Sequence, residues 1–443
     1  MGESLPAAVV GSSRTAARRP SGSSDDRRLS DGQSRWRAAT VLRANGCEVR
    51  RPVHDPVPRR RVLAVLCLTE LTSWGVLYYA LPVLAPAISD DTGWSHSAVT
   101  GAFSAGLVVS ALAGIGVGRV LDRWGPRWPM TAGSLLAVPA VVAIACAGSW
   151  PWFLAAWLLA GLAQSATLYP PAFAALTRWW GTDRVRALTW VTLAGGLAST
   201  VFAPLTAALL EPFGWRGTYL VLAVVLGVVT VPAHLFGLRG PWPEAPEPPR
   251  GARPGAITRS PAFLLTVAAV CLGVFCSFAV AVNQVPLLIE RGLDVQTAAW
   301  ALGLGGLGQV AGRAFYARTV GRLGARTRAV VVLAGLGATT ALLGLLPGPA
   351  WLLVAAAVLT GAARGITTLL QATAVSDRWP SRYYGRLNGL LSAPATAAVA
   401  ISPWAGAALA GPLGGYPALF VVLAGATTLG ALLALGTRPP SSR

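Results

Sequence analysis

Apolar residues in this chain come in long runs rather than in the alternation of a strand or the 3.6-residue stripe of a half-wet helix. They fall at about 62–86, 98–118, 128–148, 152–176, 187–210 and 218–237, then at about 262–289, 298–317, 329–347, 351–375, 387–409 and 417–436. Each run holds roughly 18 residues or more, the length a helix needs to cross a hydrocarbon core of about 30 Å. The pattern predicts an all-α membrane protein with twelve transmembrane helices.

The polar stretches divide these runs into two sets of six. Residues 238–260 are rich in proline and charge, which bars a continuous helix and predicts a linker. A first six-helix bundle is therefore expected over 61–237, a second over 261–437, and a short tail over 438–443. Residues 1–60 carry Arg, Ser, Gly, Asp and Pro without an apolar core. They read as a disordered tail, or as residues upstream of the natural start.

The two sets repeat one another. Arg123, Gly125 and Arg127 recur 199 residues later as Arg322, Gly324 and Arg326, while Gly161, Thr167, Arg178, Trp179 and Arg186 recur 200 residues later as Gly361, Thr367, Arg378, Trp379 and Arg386. Duplicated halves are a mark of transporter architecture and predict two pseudo-symmetric bundles.

Composition agrees: 54% of residues are hydrophobic and 12% charged, too greasy for water-soluble domains. The net charge of +19 would suggest nucleic acid in a soluble protein, but its placement gives another reading. All the basic residues are arginine, and thirteen lie between Arg14 and Arg61. Most of the others sit in alternate short loops, among them Arg119, Arg184, Arg318, Arg328 and Arg382, whereas the opposite loops hold only Arg216 and Arg291. Positive charge stays cytoplasmic during insertion. This predicts a cytoplasmic-membrane protein with both termini and the linker inside and the Asp90-Asp91 loop outside. Membrane lipid and a small-molecule substrate are the expected partners of a monomer, with no nucleic acid.

The loop Gly118-Arg119-Val120-Leu121-Asp122-Arg123-Trp124-Gly125-Pro126-Arg127 is similar to the one between helices 2 and 3 of the major facilitator superfamily. That resemblance, supported by the run count, repeat and linker, implies a secondary transporter working by alternating access. It assigns gating to Gly118, Asp122, Arg123, Gly125 and Arg127. A carboxylate among arginines near helix ends can hold the cytoplasmic ends together and release them, although a solvated turn that only fixes topology has the same composition. The second copy has Gly321 where the acid would stand.

Charges inside spans are costly, about 2.5 kcal/mol or more at the bilayer centre, and usually face a cavity or a partner. Three stand out here: Glu70, Arg313 and Arg364. Helical spacing puts Glu70 with Ser73, Trp74, Leu77 and Tyr78, and Arg364 with Thr367, Thr368 and Gln371. Gln164 and Thr167 share a face of the fourth run, and Ser277, Asn283 and Gln284 lie on the seventh. The resembled fold lines its cavity with helices 1, 4, 7 and 10.

The expected substrate-binding set is therefore Arg364, Arg313, Gln164, Tyr78, Asn283, Gln284 and Thr368. Guanidinium forks match carboxylate or phosphate, and so suggest an organic anion. Glu70 is the candidate proton carrier; a structural Glu70–Arg364 ion pair is the competing reading. Arg313 resembles the helix 8 arginine of monocarboxylate porters and oxalate/formate antiporters, with Gln309 where those often have an acid; an arginine snorkelling to the interface is the alternative. The glycines Gly114, Gly118 and 303–308 read as close-packing positions between helices.

The fifth run lacks the Gly-Pro-x-x-Gly-Gly stretch of drug/proton antiporters. No nucleophile–base motif, metal-ligand grouping or phosphate loop is present, so neither an enzyme nor an ATP-driven pump is expected, and no cofactor. What remains is a transporter of a small organic anion such as a monocarboxylate, coupled to protons or counter-substrate. A drug or sugar permease of the same fold, and a receptor that does not transport, are the alternatives.

Overall fold

The computed structural model describes residues 59–242, 255–318, 322–379 and 384–437. The predicted N-terminal tail up to residue 58, most of the linker, the last six residues, Gly321 and Arg382 lie outside them. Ten helical stretches are long and apolar enough to cross a membrane. We label the helices α1 (Arg59–Thr92), α2 (His96–Trp124), α3 (Arg127–Ala145), α4 (Trp150–Trp180), α5 (184–213), α6 (215–237), α7 (Pro261–Glu290), α8 (Val295–Arg318), α9 (Ala325–Leu345), α10 (Ala350–Thr373), α11 (Tyr384–Leu413) and α12 (Tyr416–Leu435).

Twelve helices give ten such stretches for two physical reasons. The stretch Arg186–Gly237 holds both α5 and α6, because Gly214 takes φ +62° and ψ 177°, which breaks the helical path. The chain reverses there. Arg216 reaches Asp91 and Ala147 at one end of the bundle, while near the end of α6 the Leu235 carbonyl accepts from Arg127 Nε at the other. Helix α8 has 24 residues, enough to span, but its glycines, Gln309 and Arg313 dilute its apolar character. The helices are thus consistent with the twelve expected.

The repeat is visible in packing. A Cβ on Gly161 of α4 would land on the backbone of Gly106 in α2, and a Cβ on Gly361 of α10 on the backbone of Gly305 in α8. Both partners are 199 or 200 residues apart, so each half closes the same helix pair by backbone contact at glycine. The glycines at 303, 305, 306 and 308 pack against α5 or α10 as expected, whereas Gly114 and Gly118 meet nothing within 4 Å. The close-packing expectation for those two is corrected.

The halves meet through α2 with α11, α5 with α8, and α1 with α7. Positions 75–85 of α1 and 279–288 of α7 are buried without exception. A helix buried on every face is enclosed by protein, so the bundle is closed around these two helices toward the Asp90 end. The other halves of α1 and α7 return to mixed exposure.

Candidate functional site

A cavity of about 430 Å³, counting the open space at its mouth, begins where that closed stretch ends. Its lining includes Trp74, the residue before the buried run of α1, and Ser277 and Phe278, just before that of α7. Gly195 and Gly196 of α5, Tyr169 of α4, Gln309 and Arg313 of α8, and Arg364 and Thr368 of α10 complete it with Tyr79. Every one of the expected cavity helices contributes, and α5 and α8 join them.

Two irregular helices shape the site. Residues Gly75–Tyr79 of α1 form a π-helical turn, a feature common at functional sites. Its extra residue rotates the face, so Tyr79, five residues after Trp74, shares the cavity side. Tyr78, which regular α spacing puts there, is instead packed against Trp74, Phe103 and Phe278 with its hydroxyl buried and unpartnered. The placement of Tyr78 in the cavity wall is therefore corrected to Tyr79. Helix α4 breaks at Leu168, which is extended because Pro170 and Pro171 follow closely, and Tyr169 opens its second piece.

Electrostatically the cavity is one-sided. Arg364 is 6% exposed and has no hydrogen-bond or ion-pair partner among the described residues; its Nε is buried and unpartnered. Arg313 is 8% exposed and donates from Nη1 to the Thr192 carbonyl of α5 at 2.5 Å. This cross-bundle bond replaces the snorkelling alternative. Neither Asp nor Glu is among the described lining residues. The Ser277 hydroxyl and Gln309 Nε2 are likewise buried and unpartnered.

Glu70 is fully buried just outside this lining. Its Oε2 accepts from Trp74 Nε1 at 3.1 Å, and Oε1 has no partner. Among the described residues no ion pair joins it to Arg364 or Arg313, so the structural-pair reading fails here. Thr368 lines the cavity, its hydroxyl donating to the Gly365 carbonyl at 2.7 Å.

The other expected residues lie elsewhere. Gln164 Nε2 donates to the Leu77 carbonyl at 2.9 Å. The need is local: Pro82 offers no N–H to the carbonyls four and five residues before it, and Gln164 serves the latter. Asn283 Nδ2 donates to the Ala279 carbonyl within α7 and abuts Gly406 of α11, while Gln284 lies within the closed stretch, buried with Nε2 unpartnered. None of the three is among the residues lining the cavity, and of their hydrogen bonds among the described residues only that of Gln164 joins two helices.

At the arginine-rich end Asp122 Oδ1 receives Arg178 Nη2 at 2.5 Å, and the Asp122 carbonyl receives Arg178 Nη1 and Trp242 Nε1 at 3.2 and 3.0 Å. Gly125 turns at φ +76° against the Trp242 ring, and Arg127 holds α6 through Leu235. Arg123 is exposed, as is Gly118. The Asp122 pair therefore lies within the first bundle. The second bundle, without an acid at 321, joins Arg328 of α9 to Asp377 beyond α10, a pair not anticipated from the loop motif.

Two helical bundles around a central, cationic, buried cavity define a membrane transporter. Consistently, the Major Facilitator Superfamily model matches residues 66–352 and 270–443, and the chain belongs to that family. It is 31% identical over 252 residues to human monocarboxylate transporter 11, covering 55% of this chain and 51% of the relative. It is 26% identical over 170 residues to the oxalate:formate antiporter of Oxalobacter formigenes, covering 38% and 40%. The matched stretches thus span about half the length of these relatives or less. In structure it is similar to a bacterial homologue of the human lysosomal transporter Spinster in an inward-facing, unoccupied conformation (TM-score 0.63, 16% identity, 86% and 94% coverage). It is also similar to the nucleoside transporter NupG (TM-score 0.65, 13% identity, 85% and 98% coverage).

Proposed function

We propose that this transporter moves a small organic anion, with monocarboxylates as its class, across the cytoplasmic membrane by alternating access. The observation that carries the reading is Arg364: a guanidinium buried at mid-span, facing a cavity, with no carboxylate to neutralise it. Leaving such a group unpaired in a low-dielectric setting is costly, and an anionic substrate would supply the missing partner, with Arg313 as a second donor. The similarity to monocarboxylate transporters and an oxalate:formate antiporter points the same way.

Glu70 is the proton carrier in this reading, tied to the cavity through Trp74; exchange for a counter-anion is the other way to balance charge. The arginine-rich end is cytoplasmic, so the conformation described here, closed toward the Asp90 end, faces inward. Gly118, Asp122, Arg123, Gly125 and Arg127 act at that cytoplasmic end, where the Asp122–Arg178–Trp242 cluster holds the first bundle together while the halves part.

Uptake of labelled monocarboxylates, with pyruvate, lactate and benzoate as the panel, into proteoliposomes tests the reading. Arg364→Ala should abolish uptake and Arg364→Lys retain a fraction of it, since a point charge replaces a fork. Uptake of a sugar or lipophilic cation that survives Arg364→Ala, with no carboxylate moved by the parent protein, would overturn it.

A further inference from the structure

We infer that the preferred substrate is a carboxylate with a planar aromatic body; this rests on the anion reading above and narrows it. The cavity has two chemically distinct walls. One carries Arg313, Arg364 and Gln309, with N–H groups to donate, and Thr368, whose hydroxyl already donates to Gly365 and can accept, from α8 and α10. The other carries Trp74, Tyr79, Tyr169 and Phe278. Four of the eleven lining residues are thus aromatic in a chain with 8% aromatic residues, and no Leu, Ile, Val, Ala or Met lines the cavity although 54% of the chain is hydrophobic.

Three of these rings lie together: Trp74 is 4.9 Å from Tyr169 and 6.5 Å from Tyr79 between centroids, and Tyr169 is backed outside the lining by Phe173, stacked at 5.0 Å and 18°. Helix α5 packs Gly195 directly against the Tyr169 hydroxyl and Gly196 against the Arg313 guanidinium. The cavity is thus a slot with an aromatic wall on one side and the cations on the other. Aromatic pairs gain energy beyond their buried area, so the slot should distinguish a flat ring from an aliphatic ring of the same size and charge.

The experiment is a titration of the full-length purified protein in detergent with benzoate, cyclohexanecarboxylate, pyruvate and oxalate, read by calorimetry. Benzoate should bind about fivefold more tightly than cyclohexanecarboxylate, the order expected for aromatic pairing, and more tightly than pyruvate. Trp74→Leu should bring the benzoate-to-cyclohexanecarboxylate ratio close to one, and Trp74→Phe should preserve most of it, which separates loss of the ring from loss of the fold. Pyruvate or oxalate binding as tightly as benzoate, or a cyclohexanecarboxylate affinity equal to that of benzoate, would overturn the aromatic assignment while leaving the anion reading intact. Binding of none of the four acids would overturn the anion reading, and this inference with it.

Discussion

The indole N–H of Trp74 donates to Glu70 Oε2 at 3.1 Å, while the same ring forms part of the cavity wall. Glu70 and the cavity are therefore one side chain apart. A change in the proton occupancy of Glu70 alters the acceptor that holds the indole, and with it the surface presented to the substrate. The link runs both ways, because a ligand that fixes the indole also fixes its carboxylate partner.

Glu70→Gln keeps an oxygen to accept from Trp74 and removes the exchangeable proton. Proteoliposomes containing this variant should still exchange labelled for unlabelled substrate, but should no longer accumulate it when a pH gradient is imposed. Gradient-driven accumulation that persists in Glu70→Gln would take the proton role away from this residue and favour exchange against a counter-anion.

Gly196 faces Arg313 so closely that an added Cβ would stand 2.9 Å from Nη1. Gly196→Ala should displace the guanidinium from both Thr192 and the cavity. A hydrogen bond to a charged group is worth about 1.5–3 kcal/mol, so substrate affinity should fall roughly 10- to 100-fold. Gly335→Ala on α9, where nothing lies within 4 Å of the new methyl, is the matched control and should bind as the parent does. Equal affinities in the two variants would show that Arg313 does not contact substrate.

The sequence made the helices and the two buried arginines legible, because length and hydropathy decide spans and an intramembrane charge is rare enough to count. The aromatic wall was hidden for a local reason. Regular α spacing links Trp74 to Tyr78, and only the π turn at Gly75–Tyr79 brings Tyr79 around. Tyr169 did carry a signal in Pro170-Pro171, since two prolines inside an apolar run interrupt it. Gln164 and Asn283 misled because a polar residue in a span answers equally well to a substrate and to a backbone carbonyl. Composition alone cannot tell which of those it serves.

Asp294 lies in the loop before α8 and caps that helix: the Thr297 N–H donates to Oδ1 at 2.9 Å and the Thr297 hydroxyl to Oδ2 at 2.6 Å. These bonds, the hydroxyl's first, hold its carboxyl below the usual range. The sign follows. A depressed folded value means the cap's contribution is fully present above the ordinary carboxylate range and fades as pH falls through the lowered value. Asp294→Asn should reduce apparent thermal stability in detergent at neutral pH, and the gap between variant and parent should narrow on acidification. A gap that widens instead would exclude the cap as its source.

The two bundles secure their arginine-rich ends by different pairs, and their burial predicts different strengths. Arg178 and Asp122 have side chains 13% and 63% exposed, against 10% and 21% for Arg328 and Asp377. Arg378, the repeat partner of Arg178, donates instead to the carbonyls of Ala325 and Ala374, because its bundle has no acid at 321. Asp377 takes over by pairing with Arg328, and in doing so ties the end of α10 to the first turn of α9. Exposed pairs are worth about 0.2–1 kcal/mol, whereas contacting residues sharing a partly buried network couple by about 0.5–3 kcal/mol. Double-mutant cycles on thermal denaturation in detergent should therefore give the larger coupling for Arg328–Asp377, and Asp377→Asn should cost more than Asp122→Asn. If the first-bundle pair couples more strongly, the Trp242 ring stacked 4.7 Å from Arg178 is the feature that shields it, and Trp242→Ala should then erase the difference.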